Sequence, residues 1–358
     1  MSGRLTRKEF IGGLVAAAGT GCVSPVARSL AEPRHGFRKM VMFKLGVNNM
    51  AGDDYLTSTW AAENARLPKP KFHRVAAKRL RFDEAVWREA IDLAKRRGLN
   101  AVLIDLHEAV VYPSHPEIAT EGAWSPDRLR DELRRLRAMG LEPLPKLNFS
   151  TTHSAWQGVW RRRTSTPEYY RFCADLIGDV CEIFDRPALF HIGMDEEWPK
   201  AQPDEPLVLC RQGDLWFHDC RFLIDEVEKH GVRAWMWSDV FSRDTAGFLR
   251  NIPKSVLISN WYYDEIFDPA AFPKDFPSHR YWAYEKIEKA GYDQLPTGSN
   301  WTGPRNIDGT VRHCRKVIAP ERLKGFLMAS WKETTPEGRE KLLASINQLA
   351  DAIDLAGL

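Results

Sequence analysis

Three consecutive carboxylates, Asp195, Glu196 and Glu197, close the stretch "ALFHIGMDEEWP" at residues 188–199, directly after an apolar run carrying His191 and Gly193. Carboxylates resist burial, so acids at the end of what reads as a buried strand call for a reason. Side chains alternate along a strand, which puts His191, Gly193 and Asp195 on one face, with Glu196 the first residue beyond it. Two neighbouring carboxylates disfavour joint ionisation, so one of the pair is expected to have a raised pKa, the property a general acid needs near neutral pH. Asp239, after "VRAWMWS", is a further candidate pocket carboxylate. A metal centre built on His191, Asp195 and Glu196 lacks a second histidine at ligand spacing, so neither metal nor cofactor is expected.

These residues need a scaffold that brings strand ends together. Strand patterns fall at 40–47, 100–106, 141–149, 188–194, 232–240, 255–263, 293–301 and 323–331, with prolines irregular in the third and a poor pattern in the seventh. Helix patterns fall at 83–98, 125–140, 166–184, 215–231, 280–291, 307–319 and 335–357. Asp83 and Ser125 occupy N-cap positions, Pro126 follows at the first helical position, and Gly98, Gly140 and Gly231 stand as stops. The strands are near-continuously apolar, as strands covered on both faces must be. Eight strands with helical crossovers predict an α/β fold, a (β/α)8 TIM barrel over 38–358, with its chemistry at the C-terminal strand ends. The alternative, an open doubly wound sheet, would want a glycine-rich phosphate loop after the first strand, and "GVNNMAGDD" lacks that spacing.

Composition bounds the function. Of the 358 residues 28% are charged, yet the formal net charge is only +3, which gives no reason to expect a nucleic-acid partner. The 13 tryptophans are flat apolar platforms with a polar tip. Residues 1–32 differ from the rest: a basic start, a short apolar run and small residues read as an export signal, and "TRKEFI" resembles the twin-arginine type with Lys8 at the second arginine. Export to the periplasm or cell surface is expected, with Cys22 a candidate lipid anchor. No later stretch is apolar enough to span a bilayer. The six cysteines match no zinc or redox spacing, and the five outside the signal read as free thiols.

"HIGMDE" resembles the His-x-Gly-Gly-Asp-Glu signature of glycoside hydrolase family 20, the β-N-acetylhexosaminidases, with Met194 at the second glycine. "YPSHPEIATEGAWSPDRLRDELRRLRAMGLEPLPKLNFSTTHSAW", "MWSDV", "SNW" and "SWKE" resemble its further segments in order and spacing, over roughly residues 85–335. The resemblance implies a glycoside hydrolase of a divergent type acting on a carbohydrate, which with the N-terminal signal makes it an exported one. It implies Glu196 as acid/base and Asp195 orienting the substrate's 2-acetamido group, which attacks the anomeric carbon in place of an enzyme carboxylate. It further implies that Trp237, Trp261 and Trp331 wall the sugar, that Glu333 accepts its hydroxyls, that His153 supports the acid, and that His191 and Asp239 line the same site.

The sequence departs from the family in two places. No arginine ends strand one, where Asn48, Asn49 or Asp53 would have to serve. No tyrosine ends strand seven, where Tyr262 or Tyr263 after strand six would stand in. Two other readings follow from these gaps: a retaining glycosidase on a non-acetamido sugar with Asp239 or Glu333 as nucleophile, and a non-catalytic carbohydrate-binding barrel.

Overall fold

The computed structural model describes residues 36–50, 76–202 and 208–358. The expected export signal, Cys22 and Asp53 lie outside these residues. Eight parallel strands run β1 (Arg38–Lys44), β2 (Ala101–Asp105), β3 (Glu142–Lys146), β4 (Leu189–His191), β5 (Arg233–Trp237), β6 (Leu257–Ser259), β7 (Thr297–Gly298) and β8 (Gly325–Ala329). Their order in the sheet is β6-β5-β4-β3-β2-β1-β8-β7. The remaining seam, β6 to β7, is closed by single bridges at Ile258–Gln294 and Trp261–Thr297, with Leu295 N–H donating to the Ile258 carbonyl at 2.9 Å and Thr297 N–H to that of Asn260 at 2.9 Å. The fold is the expected (β/α)8 barrel.

The crossover helices are α1 (Glu84–Arg96), α2 (Pro126–Ala138), α3 (Pro167–Ile183), α4 (Gly213–Lys229), α5 (Asp239–Arg243), α6 (Thr245–Asn251), α7 (His279–Lys289), α8 (Asn306–Val317) and α9 (Pro336–Leu355). The caps work as their residue types require: Asp83 accepts from Val86 N–H, Ser125 from Arg128 N–H and Thr166 from Tyr169 N–H, each worth about 1 kcal/mol. Strand five is shorter than its pattern. It stops at Trp237, and Asp239 opens α5, because Phe241 and Phe248 bury as helical residues.

β3 explains its own irregularity. Leu147 and Phe149 donate their N–H groups across to the β4 side. Pro143 and Pro145 share that parity and have no N–H to donate, so the β3–β4 ladder is a single pair, Lys146–His191. β4 is correspondingly only three residues long.

Two apolar layers result. One lies between strands and helices; the other fills the lumen with Met40, Met42, Leu103, Leu144, Leu189, Trp235, Leu257 and Leu327. The lumen also holds charge. At the bottom, Arg38 donates to both oxygens of Glu142 at 2.8 and 3.1 Å. Higher up, one register row carries Lys44, Asp105, Lys146 and His191. Lys146 Nζ lies 2.6 Å from Asp105, both fully buried, so the charges are paired as burial demands. Among the described residues no helix is long and apolar enough to cross a membrane. The five described cysteines are unpaired, and four are buried.

Candidate active site

The three carboxylates sit on a loop rather than a strand. β4 ends at His191, and Gly193, Met194 and Glu196 take φ values of +74°, +72° and +55°. Gly193 is obligatory: a Cβ there would lie 2.0 Å from Asn148 Oδ1 and 2.8 Å from the Asn148 Cα. Met194, where the family signature has glycine, pays the left-handed cost as a bulky residue. His107 (φ +45°) and Trp331 (φ +57°) are strained on the same rim. Strain collected at one end of a barrel marks a functional site.

Each acid has its own counter-charge or clamp. Asp195 is 7% exposed; its Oδ1 accepts from Asn148 Nδ2 at 2.8 Å and its Oδ2 lies 3.4 Å from His153 Nε2. His153 Nε2 also donates to Glu196 Oε2 at 3.2 Å, and its Nδ1 donates to the Asn49 carbonyl at 3.0 Å. Burial alone would lower the imidazole pKa, but Asp195 and Glu196 push it up to about 10, so both ring nitrogens carry protons. Burial would raise Asp195, and the His153 charge, its hydrogen bond and Lys146 more than reverse that, holding the carboxyl well below the ordinary carboxylate range. The raised carboxyl expected of the pair is therefore not found at Asp195, because an imidazolium stands between the two acids. Glu197 is turned away from both. Buried Arg211 donates Nε to it at 3.1 Å and Nη2 at closer range, and also holds Asp219 at 3.1 Å. Thr151 N–H donates to Glu197 at 3.0 Å.

The remaining expected residues gather on the same rim. Trp261 and Tyr263 stack with centroids 4.9 Å apart, and Trp331 donates its indole N–H to the Tyr263 hydroxyl at 3.0 Å. Trp237 packs behind Trp331 at 6.1 Å and over His191 at 4.3 Å. His191 is fully buried and its Nδ1 accepts from Gly193 N–H; burial and Lys146 lower its pKa, so it is neutral. It shapes the floor under Trp237. Asp239 is 3% exposed with both oxygens engaged, by Arg280 at 2.9 Å and Trp261 at 3.0 Å. Burial raises its pKa against the pull of Arg280, and Asp195 and Glu196 add to the rise. Glu333 pairs with Arg81 at 2.6 Å. Of the two tyrosines, Tyr262 is buried with its hydroxyl given to the Ile266 carbonyl, whereas Tyr263 faces the acids closely enough for Glu196 and Asp195 to raise its pKa after burial.

Sequence reasoning missed Asn148, Arg211, Arg81 and Arg280. Asn148 is a hub: its backbone N–H donates to neutral His107, its carbonyl accepts from Trp156, and its side chain bridges Met194 N–H and Asp195. A polar residue ending the run "LPKLN" was the available signal. For a cation, the ligand atoms of His153, Asp195 and Glu196 lie within 4.8 Å of one another. A metal would have to displace the Nε2 proton of a histidine whose pKa is about 10. His191, considered for such a site, spends its Nδ1 on Gly193.

No protein-family model and no curated protein matches the sequence. Solved structures do match the fold. A β-N-acetylhexosaminidase from Bacteroides fragilis NCTC 9343 superposes with a TM-score of 0.57 at 15% identity, over 88% of this chain and 66% of that one. Flavobacterium johnsoniae chitobiase gives 0.57 at 15% identity, over 91% and 52%. A GH20 exo-β-N-acetylglucosaminidase from Vibrio harveyi, in complex with N-acetylglucosamine, gives 0.53 at 15% identity, over 91% and 59%. The likeness is one of fold, and the chain spans half to two thirds of the length of these proteins.

Proposed function

We propose that this chain is a glycoside hydrolase of the β-N-acetylhexosaminidase type, a divergent member of glycoside hydrolase family 20. It removes a terminal N-acetylhexosamine with retention, the substrate's acetamido group serving as nucleophile. The observation that carries the reading is the Asp195–His153–Glu196 cluster: one acid held ionised and buried, the other partly open to the mouth, on a barrel whose fold neighbours include hexosaminidases. Two carboxylates in unlike surroundings take unlike roles.

In the first step the acetamido carbonyl oxygen bonds to the anomeric carbon while Glu196 gives its proton to the departing glycosidic oxygen. His153, with its N–H 3.2 Å from Glu196, hydrogen-bonds the carboxylate that this leaves. Asp195 accepts the acetamido N–H and balances the positive charge of the oxazolinium ring. Tyr263, whose oxygen already accepts from Trp331, has its own O–H left to donate to the acetamido carbonyl. Water then attacks the anomeric carbon, Glu196 takes its proton, and the ring reopens. Trp261 and Trp331 stack on the sugar, and Glu333 with Arg81 receives its hydroxyls. That arginine comes from the segment before α1, not from the end of strand one.

The conventional-nucleophile reading is weaker, since Asp239 and Glu333 are each bound to an arginine. One experiment separates the two. Nitrophenyl glycosides with and without the 2-acetamido group are assayed, followed by a thiazoline analogue of the ring and a 2-fluorosugar. Acetamido-dependent turnover and tight thiazoline inhibition, both weakened in Asp195→Asn, are expected. A fluorosugar adduct on Asp239 or Glu333 without thiazoline inhibition overturns the substrate-assisted mechanism. No turnover of any glycoside overturns the hydrolase.

A further inference from the structure

Glu108, just past β2, is a buried carboxylate that the chemistry above does not use. It is 2% exposed. Its Oε1 accepts the backbone N–H of Val47 at 2.7 Å and of Asn48 at 3.0 Å. Its Oε2 has no hydrogen-bond partner among the described residues. Burial lifts its pKa to about 7 against those N–H bonds, so keeping a carboxylate here is costly. What it gains is grip: an ionised acceptor holds N–H groups about twice as strongly as a neutral one.

The two N–H groups belong to the loop after β1, and the next residue along is Asn49, whose carbonyl receives His153 Nδ1–H. The loop is held close by a second feature. A Cβ on Gly46 would lie 2.4 Å from the Leu106 carbonyl oxygen and 3.0 Å from Glu108 Oε2. Only glycine lets the β1 loop approach the β2 loop near enough for Glu108 to reach it. Asn49 is also tied from below, its Nδ2 donating to Asp105 at 3.3 Å and its Oδ1 accepting from Lys44 at 3.4 Å.

We propose that Glu108 is a positioning residue for the acid/base: through Val47 and Asn48 it fixes the Asn49 carbonyl, and that carbonyl holds His153 against Asp195 and Glu196. The proposal rests on Glu196 being the acid. Its physical content is that a carbonyl aimed at Nδ1 sets both the ring plane and the protonation of His153, as an orienting partner does for any working histidine. A misplacement of about 1 Å at such a contact costs on the order of 100-fold in rate.

The test is the ring titration of His153 by NMR in wild type, Glu108→Ala, Gly46→Ala and Glu108→Gln, with kcat and KM measured beside it. Removing the acceptor, or wedging the loops apart, is expected to lower the His153 midpoint by a unit or more on the scale of about 1.4 kcal/mol per unit. The same variants are expected to lower kcat by about 10- to 100-fold with KM little changed. Glu108→Gln keeps one oxygen for both N–H groups and is expected to restore most of the midpoint and the rate. An unchanged His153 midpoint in folded Glu108→Ala or Gly46→Ala overturns the proposal, even if stability falls. Should Glu108→Ala not fold, Gly46→Ala and Glu108→Gln decide it alone. The NMR midpoint is read without any substrate, so a failure of the hydrolase reading would leave this result standing on its own.

Discussion

Arg211→Met is the perturbation whose cost the structure sets most directly. Arg211 is the buried cation for two carboxylates, Glu197 and Asp219, and all three side chains are 2% exposed. The substitution keeps the length and apolar stem but leaves two buried negative charges facing one another. Asp219 retains the Tyr170 hydroxyl at 2.6 Å and the Ser165 hydroxyl at 2.6 Å. Glu197 retains the Thr151 N–H and the backbone N–H of residue 211 itself. Breaking a buried pair from one side costs about 3–5 kcal/mol, which at about 1–2 °C per kcal/mol for a chain of this length lowers the melting temperature by roughly 5 °C. Adding Glu197→Gln removes one stranded charge and is expected to return about 1–3 kcal/mol. Differential scanning calorimetry on wild type, both single variants and the double variant completes a cycle, with an expected coupling above about 1 kcal/mol. A loss under about 1 kcal/mol for Arg211→Met, or a coupling near zero, would refute the reasoning that this arginine is what allows three successive acids to coexist.

Glu196→Gln should lower turnover by about two to four orders of magnitude for poor leaving groups and less for nitrophenolates; equal losses on both would remove Glu196 as the acid. Tyr263→Phe should weaken thiazoline inhibition by roughly 5- to 10-fold, the worth of one neutral hydrogen bond, and unchanged inhibition would place the hydroxyl outside the acetamido site. Gly193→Ala should destabilise the fold by about 3 kcal/mol, since its Cβ meets the Asn148 backbone at a left-handed φ, and a near-native melt would contradict that geometry. Because the folded His153 pKa is raised from 6.5 to about 10, its stabilisation is complete below the unfolded value and fades as pH rises through 10. Because Asp195 is depressed from 3.8, its share is complete above that value and is lost on acidification. Melting temperature followed across pH should therefore fall on the alkaline side, and His153→Gln should flatten that limb.

Much of the barrel was legible in the residues because its signals are local. Ser125–Pro126 and Asp83 announce helix starts by chemistry that acts within three residues, and the apolar runs of β1, β2 and β8 need no partner to be read. The end of strand five misled, since Val240 lies close behind the apolar run "WMW" while Phe241 and Phe248 are satisfied only as helix. The acids could be placed because a barrel puts chemistry at strand ends. Their charge states could not, because His153 and Arg211 reach Glu196 and Glu197 across 43 and 14 residues and nothing local marks such pairings. The same holds for Arg81, which meets Glu333 from the far end of the chain.

The two prolines of β3 have a mechanical consequence. With one ladder pair between β3 and β4 and two single bridges between β6 and β7, the cylinder is stitched as two staves, a narrow one of β4 to β6 and a broad one running from β7 through β8 and β1 to β3. The narrow stave carries Asp195, Glu196, Trp261 and Tyr263; the broad one carries Asn148, His153, Trp331 and Glu333. Three contacts of the site, Asn148 to Asp195, His153 to Glu196 and Trp331 to Tyr263, cross these thinly sewn seams. A small slide of one stave against the other opens or tightens all three at once. Amide exchange should be fastest at those two seams, and a bound sugar analogue gripped from both sides should slow it there more than anywhere else in the barrel.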